Sequence, residues 1–150
     1  MFFLYGVLGI IILAVAFIRF SSHQTDLWHK DPELAAASDK PNEYRLIGDE
    51  AVRFDMPAAD LQRLVDDFAQ NQPRTNRIAG ALGGSIITYI ERSALMGYPD
   101  YITVKVSPIS RSQAKLVIRS RSRFGYSDLG INKKRVRRWV AAIQDLVVGR

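Results

Sequence analysis

Phe2 to Ile18 carries no charge, and Arg19 closes the run. No feature of the chain constrains its folding more. At 1.5 Å per residue a helix over this run reaches about 26 Å, close to the thickness of a bilayer hydrocarbon core. A snorkelling Arg19 extends that reach. The run has no polar face, which a helix packed on a soluble core normally keeps. We therefore read residues 1–20 as a single transmembrane anchor. A cleaved signal peptide is the rival, because Ala14-Val15-Ala16 has a small-x-small form. Nothing basic precedes the run, however, and Phe17 and Ile18 prolong it past the alanines. A buried core helix is the third reading.

The anchor leaves about 130 residues of the 150 for a folded domain, enough for a real core. There is no cysteine, so disulfide frameworks, zinc-thiolate sites and thiol nucleophiles are excluded. The net charge of +6 hides an asymmetry. Residues 1–100 hold nine Lys/Arg against thirteen Asp/Glu, and residues 101–150 hold twelve against two. A mildly acidic first part is thus joined to a strongly basic last third.

Residues 21–42 form a polar linker arm with Pro32 and Pro41. Its Leu27 and Trp28 suit either the domain surface or the lipid interface. Residues 43–150 read as one domain. Tyr44 to Phe54 holds strand-like pieces around a turn at Gly48-Asp49. Met56-Pro57 opens a helix, in which Leu61, Leu64, Val65 and Phe68 make one apolar stripe. Asn71-Gln72-Pro73 ends it. Pro73 to Ser85 is expected to be a loop. Strands are expected over Ile86–Ala94, Tyr101–Ser107 and Ala114–Ser122. In the last of these, alternation sends Lys115, Arg119, Arg121 and Arg123 to one face and Leu116 and Ile118 to the other. After a Gly-punctuated loop, Asn132 is expected to cap a final helix with an apolar stripe through Val136, Trp139, Val140, Ile143 and Val147. The order predicts an α+β fold. An antiparallel sheet of about four strands would carry two helices on one face, after an N-terminal transmembrane helix.

Catalytic machinery is sparse. The two histidines, His23 and His29, lie in the arm, and their spacing with Asp26 and Asp31 matches no metal motif. Gly80-Ala81-Leu82-Gly83-Gly84-Ser85 is neither a dinucleotide fingerprint nor a P-loop. Asp66-Asp67 and Asp49-Glu50 are adjacent pairs, and convergence of carboxylates from different elements is invisible in sequence. No catalytic residue, metal site or cofactor is assigned. The basic last third fits an anionic lipid, a small acid or nucleic acid. Aromatics interleave poorly with its charges, which disfavours nucleic acid.

One stretch is distinctive. Residues 119–135 read Arg-Ser-Arg-Ser-Arg-Phe-Gly-Tyr-Ser-Asp-Leu-Gly-Ile-Asn-Lys-Lys-Arg. This resembles the signature of the domain of unknown function 1499 family, R-S-x-S-R-x-G-x-S-D-x-G-x-N-x-x-R, at each specified position. Pro41-Asn42, Pro73-Arg74-Thr75 and Met96-Gly97-Tyr98-Pro99-Asp100-Tyr101 extend the likeness. Many members of that family have a cysteine after the Pro-Asn pair, where this chain has Glu43-Tyr44-Arg45. The resemblance implies an exported or membrane-anchored protein and supplies no reaction. It points to the extracytoplasmic side, whereas Arg19 and Lys30 after the anchor point to the cytoplasm.

Physically, Asp128 is expected to pair with Arg119, Arg121, Arg123 or Arg135. Ser120, Ser122 and Ser127 are expected to bond loop backbone. In a ligand-binding reading, Arg119, Arg121, Arg123, Tyr126, Ser127, Asp128, Asn132 and Arg135 surround an anion. The leading expectation is a non-enzymatic binding or accessory module, with the membrane and an anionic lipid or small anionic ligand as partners. A small enzyme with its site at Arg119–Asp128 is the alternative. Nucleic-acid binding through the last helix is the third.

Overall fold

A computed structural model describes residues 2–21 and 23–149. Helix α1 (Phe2–Phe20) is long and apolar enough to cross a membrane, and no residue of Phe3–Phe20 is buried. A short helix α2 (Thr25–Trp28) follows in the arm. The domain then runs β1 (Glu43–Leu46), a 3-10 turn, β2 (Val52–Phe54), α3 (Ala58–Gln70), β3 (Thr75–Ala79), β4 (Ile86–Arg92), β5 (Pro99–Pro108), β6 (Ala114–Ser122) and α4 (Ile131–Val148).

The fold is α+β, and its sheet is antiparallel with six strands rather than about four. The order is β1-β6-β5-β4-β3, with β2 also paired to β6. β1 and β2 are one edge broken by the turn at Gly48–Glu50. β1 pairs with the end of β6 from Arg121 to Ile118, and β2 with its start from Leu116 to Ala114. The other edge, β3, lies inside the expected loop Pro73–Ser85. Thr75-Asn76-Arg77-Ile78-Ala79 lacks apolar alternation because an edge strand with exposed positions has little to bury. Gly80 ends that strand at φ +82°, where a Cβ would stand 2.2 Å from the Ile86 carbonyl oxygen, so only glycine fits.

Alternation divides the sheet into two faces. Phe54, Ile87, Tyr89, Ile102, Val104, Leu116 and Ile118 point to one face and meet Leu61, Leu64 and Val65 of α3 and Val136, Trp139 and Ile143 of α4. Trp139 has no exposed surface. Phe68 and Tyr89 meet its ring edge-on, with centroids 5.5 and 5.9 Å away. A buried polar knot sits among them. Asp66 accepts hydrogen bonds from Tyr89 Oη (2.7 Å), Arg77 (3.0 Å) and Gln70 (2.8 Å). Burial and then the Asp66 carboxylate push the Tyr89 phenol far up, so it stays a donor.

The arm covers the second face. The Trp28 ring stacks on Tyr101 at 4.0 Å. His29 meets the Thr88 hydroxyl at 2.9 Å, and Thr103 donates to the Trp28 carbonyl at 3.2 Å. Further along the arm, Lys105 binds Asp31 (2.6 Å) and Glu33 (2.8 Å), and Lys115 binds Glu33 (2.8 Å). The chain then turns back. Arg45 donates to the carbonyls of Pro32 (2.6 Å) and Ala35 (2.8 Å), and Arg119 to that of Ala36 (3.0 Å). Asn42 reaches Gly125 (3.2 Å) at the end from which the arm set out.

Candidate functional site

The signature stretch spans the end of β6, a loop and the start of α4. Strand alternation sends its side chains to opposite faces of the sheet. Arg119 and Arg121 lie on the arm face. Arg119 is buried and donates to Glu43 at 2.8 Å. Arg121 is 3.9 Å from the same carboxylate, and its guanidinium lies 5.7 Å from the Trp28 ring centre. Arg123 stacks over Phe124 at 5.1 Å and hydrogen-bonds Tyr101. These three arginines serve the arm and the sheet edge rather than the loop.

Ser120, Ser122, Asn132 and Arg135 meet on the helix face. Asn132 is fully buried and does not cap α4. Its Oδ1 accepts from Ser120 (2.6 Å) and Arg135 (2.7 Å), and its Nδ2 donates to Ser122 Oγ (2.9 Å) and the Asn42 carbonyl (3.1 Å). Arg135 is also buried. It donates to Asp100 at 2.7 Å, and its Nε faces Glu91 at 3.0 Å. Ser120 and Ser122 thus bond side chains rather than loop backbone through their hydroxyls. A buried guanidinium with both terminal nitrogens engaged fixes geometry more than it adds stability.

The N-cap position of α4 is Gly130, and the carboxylate that serves the helix start is Asp128, two residues before it. Its two carboxylate oxygens accept the backbone N–H groups of Gly130 (3.0 Å) and Asn132 (2.8 Å). This corrects the expected pairing with an arginine. Leu129 and Gly130 both have positive φ, +52° and +79°, and that sharp turn brings the amides onto Asp128. A negative charge there also suits the helix dipole, which the flanking Lys133 and Lys134 oppose. Ser127 Oγ accepts the Leu129 N–H at 3.2 Å. Tyr126 is largely exposed.

A cavity of about 560 Å³ opens at this end of the sheet. Of the eight sequence-expected residues it gathers Ser127, Asp128 and Arg135 and leaves out the other five. Its polar floor is Arg135 with Glu91 and Asp100, which are register partners on β4 and β5. Its walls are Tyr98, Phe124, Leu129 and Ile131, together with Ile18 from the last turn of α1. Arg74 and Arg92 complete it. Arg92 donates to the Gly97 carbonyl (3.0 Å) and meets His23 Nε2 (3.1 Å). Arg74 bonds the Arg92 carbonyl through Nε (3.0 Å), and among the described residues its terminal nitrogens have no partner. Sequence reasoning missed Glu91, Asp100, Arg74, Arg92 and Ile18. The hairpin turn at Gly97-Tyr98-Pro99 was the available signal, because closing it sets Glu91 opposite Asp100.

Part of the strong positive charge of the last third is answered from the first part. Glu43 takes Arg119 and Arg121, Glu91 and Asp100 take Arg135, and Asp31 and Glu33 take Lys105 and Lys115. Among the described residues no group of acids and histidines is placed to hold a metal ion.

The family model described as "Protein of unknown function (DUF1499)" matches residues 20–143. No curated protein matches the chain. Two solved structures are similar in part. One is a solution NMR structure from Thermobifida fusca, at 13% identity and a TM-score of 0.41, covering 53% of this chain and 72% of the other. The second is the di-domain ARO/CYC protein BexL from the BE-7585A biosynthetic pathway, at 16% identity and a TM-score of 0.45, covering 71% and 44%.

Proposed function

We propose that this chain, which belongs to the DUF1499 family of proteins of unknown function, is a membrane-anchored, non-enzymatic binding module for the acidic head group of a lipid. The observation that carries the reading is the shared cavity. Ile18, at the end of the apolar helix, lines the same space as Asp128 and Arg135 of the signature stretch. With α1 in a bilayer, the cavity sits at head-group depth.

The roles follow from the side chains. Arg74 offers free guanidinium nitrogens to a phosphate, and Arg92 stands beside it. Leu129, Ile131 and Ile18 meet the first acyl carbons. Arg135, with its terminal nitrogens on Asp100, Asn132 and Ser120, acts as a rigid polar floor rather than as the anion clamp. Asp128 holds the loop through two backbone amides, which favours a structural part for it over that of a reacting acid.

Thermal unfolding of the full chain in detergent tests this. Short-chain phosphatidylglycerol should raise the Tm by about 8 °C at a hundredfold excess over Kd, and phosphatidylcholine of the same chain length should not. The Arg74→Ala, Arg92→Ala double variant should lose most of that rise. Equal shifts with both lipids, or none with either, would discard the reading.

A further inference from the structure

The end of the domain that carries the cavity also carries apolar side chains that nothing in the chain covers. Leu95, in the β4–β5 turn, is 87% exposed, and Leu129, in the β6–α4 loop, is 91% exposed. Tyr126, in the same loop, and Ile131, the first residue of α4, are exposed too. Leu129 sits at the left-handed turn, φ +52°, that projects the loop tip. The loops of the opposite end, 80–85 and 109–113, are mainly Gly, Ser, Arg and Gln, and their Leu82 and Ile109 are each about half covered; the exposed apolar side chain there is Leu34, in the arm beside the Glu33–Lys115 pair.

The last turn of α1 lies at the apolar end. Ile18 lines the cavity together with Leu129 and Ile131. The Arg19 side chain passes 3.5 Å from where a Cβ on Gly97 would stand, beside the turn that bears Leu95. Arg74, Lys134 and Arg138 are exposed cations on the elements around these tips. Apolar tips flanked by cations match an anionic membrane surface.

We infer that the β4–β5 and β6–α4 loops dip into the interface of the same bilayer that holds α1, so that the domain rests on the membrane with its cavity mouth at the lipid. This rests on the membrane reading above and adds an interaction surface to it. The tips fix the orientation of the domain, and α1 alone would only tether it.

The absence of cysteine makes the test direct. Single variants Leu95→Cys, Leu129→Cys, Ser112→Cys and Ile10→Cys of the full chain would carry a nitroxide in vesicles of equal parts phosphatidylcholine and phosphatidylglycerol. Labels at 95 and 129 should be shielded from a water-soluble nickel chelate and relaxed by oxygen, as at 10, while the label at 112 shows the reverse. In a label at Tyr126→Cys, adding Leu95→Asp and Leu129→Asp should raise nickel accessibility severalfold. Positions 95 and 129 as nickel-accessible as 112, with 10 shielded, would overturn the docking and leave the anchor standing. Nickel access at 10 as well would overturn both.

Discussion

The two faces of the sheet are closed in different ways. On the helix face Leu61, Val65, Leu116, Ile118 and Trp139 are buried against one another, and closure is hydrophobic and cooperative. On the arm face a smaller apolar patch, Ile90, Tyr101 and Val117, is covered by a strap of chain that one stacked ring pair, three ion pairs to Lys105 and Lys115 and several hydrogen bonds hold. Such polar contacts add little net stability each. The helix face therefore sets the global stability of the domain, and the arm face opens locally at lower cost.

The comparison can be broken from the helix side first. Trp139→Ala empties a fully buried site and should cost about 3–5 kcal/mol in denaturant unfolding. A cost under about 1 kcal/mol would mean that the helices are not the core. Arg135→Ala leaves Asp100 and Glu91 without their buried partner and should cost about 3 kcal/mol, again as a global loss. Trp28→Ala should behave differently. About 1 kcal/mol of global stability is expected to go, while amide exchange of residues 23–42 speeds up and that of Leu116 and Ile118 stays slow. Uniform acceleration across both faces would erase the distinction.

Acid sharpens it further. Burial, then Arg92 and Arg123, hold the His23 pKa below its ordinary 6.5. The docked arm thus prefers neutral His23, and its contribution fades as pH falls below 6.5 through the lowered value. Hydrogen bonds from Lys105 and Lys115 hold Glu33 below 4.5, so that contribution is complete above 4.5 and lost on further acidification. Exchange of the arm should quicken in these two steps, and His23→Gln should remove only the first. The smallest effect is expected at Arg63→Ala, whose exposed pair with Asp60 should change stability by less than about 0.5 kcal/mol.

Legibility follows the same division. The helix face was readable because burial writes a period into the chain, through Leu61, Leu64 and Val65 in α3 and the alternation of Leu116 and Ile118 in β6. Alternation also placed Lys115, Arg119 and Arg121 on the other face. It could not say that Asp31, Glu33 and Glu43 come to meet them from far along the chain. The β3 edge escaped because it buries too little to leave a period. At the candidate site the signature residues were visible as a motif, but a linear motif does not show which face each takes. Asp128 and Asn132 exchanged their expected parts for a local reason. The left-handed turn at Leu129–Gly130 lets Asp128 reach the amides of Gly130 and Asn132, and with α4 starting at Ile131 Asn132 falls inside the first turn.

The course of the arm has a consequence for distance. It leaves α1, crosses to the far end of the sheet and returns, so both its ends lie together while it is docked. Its contacts with the sheet are arranged in sequence order and can release one after another. Peeled away and extended, residues 21–42 span about 75 Å. The strap is stored length, and paying it out would carry an otherwise intact domain several of its own radii from α1.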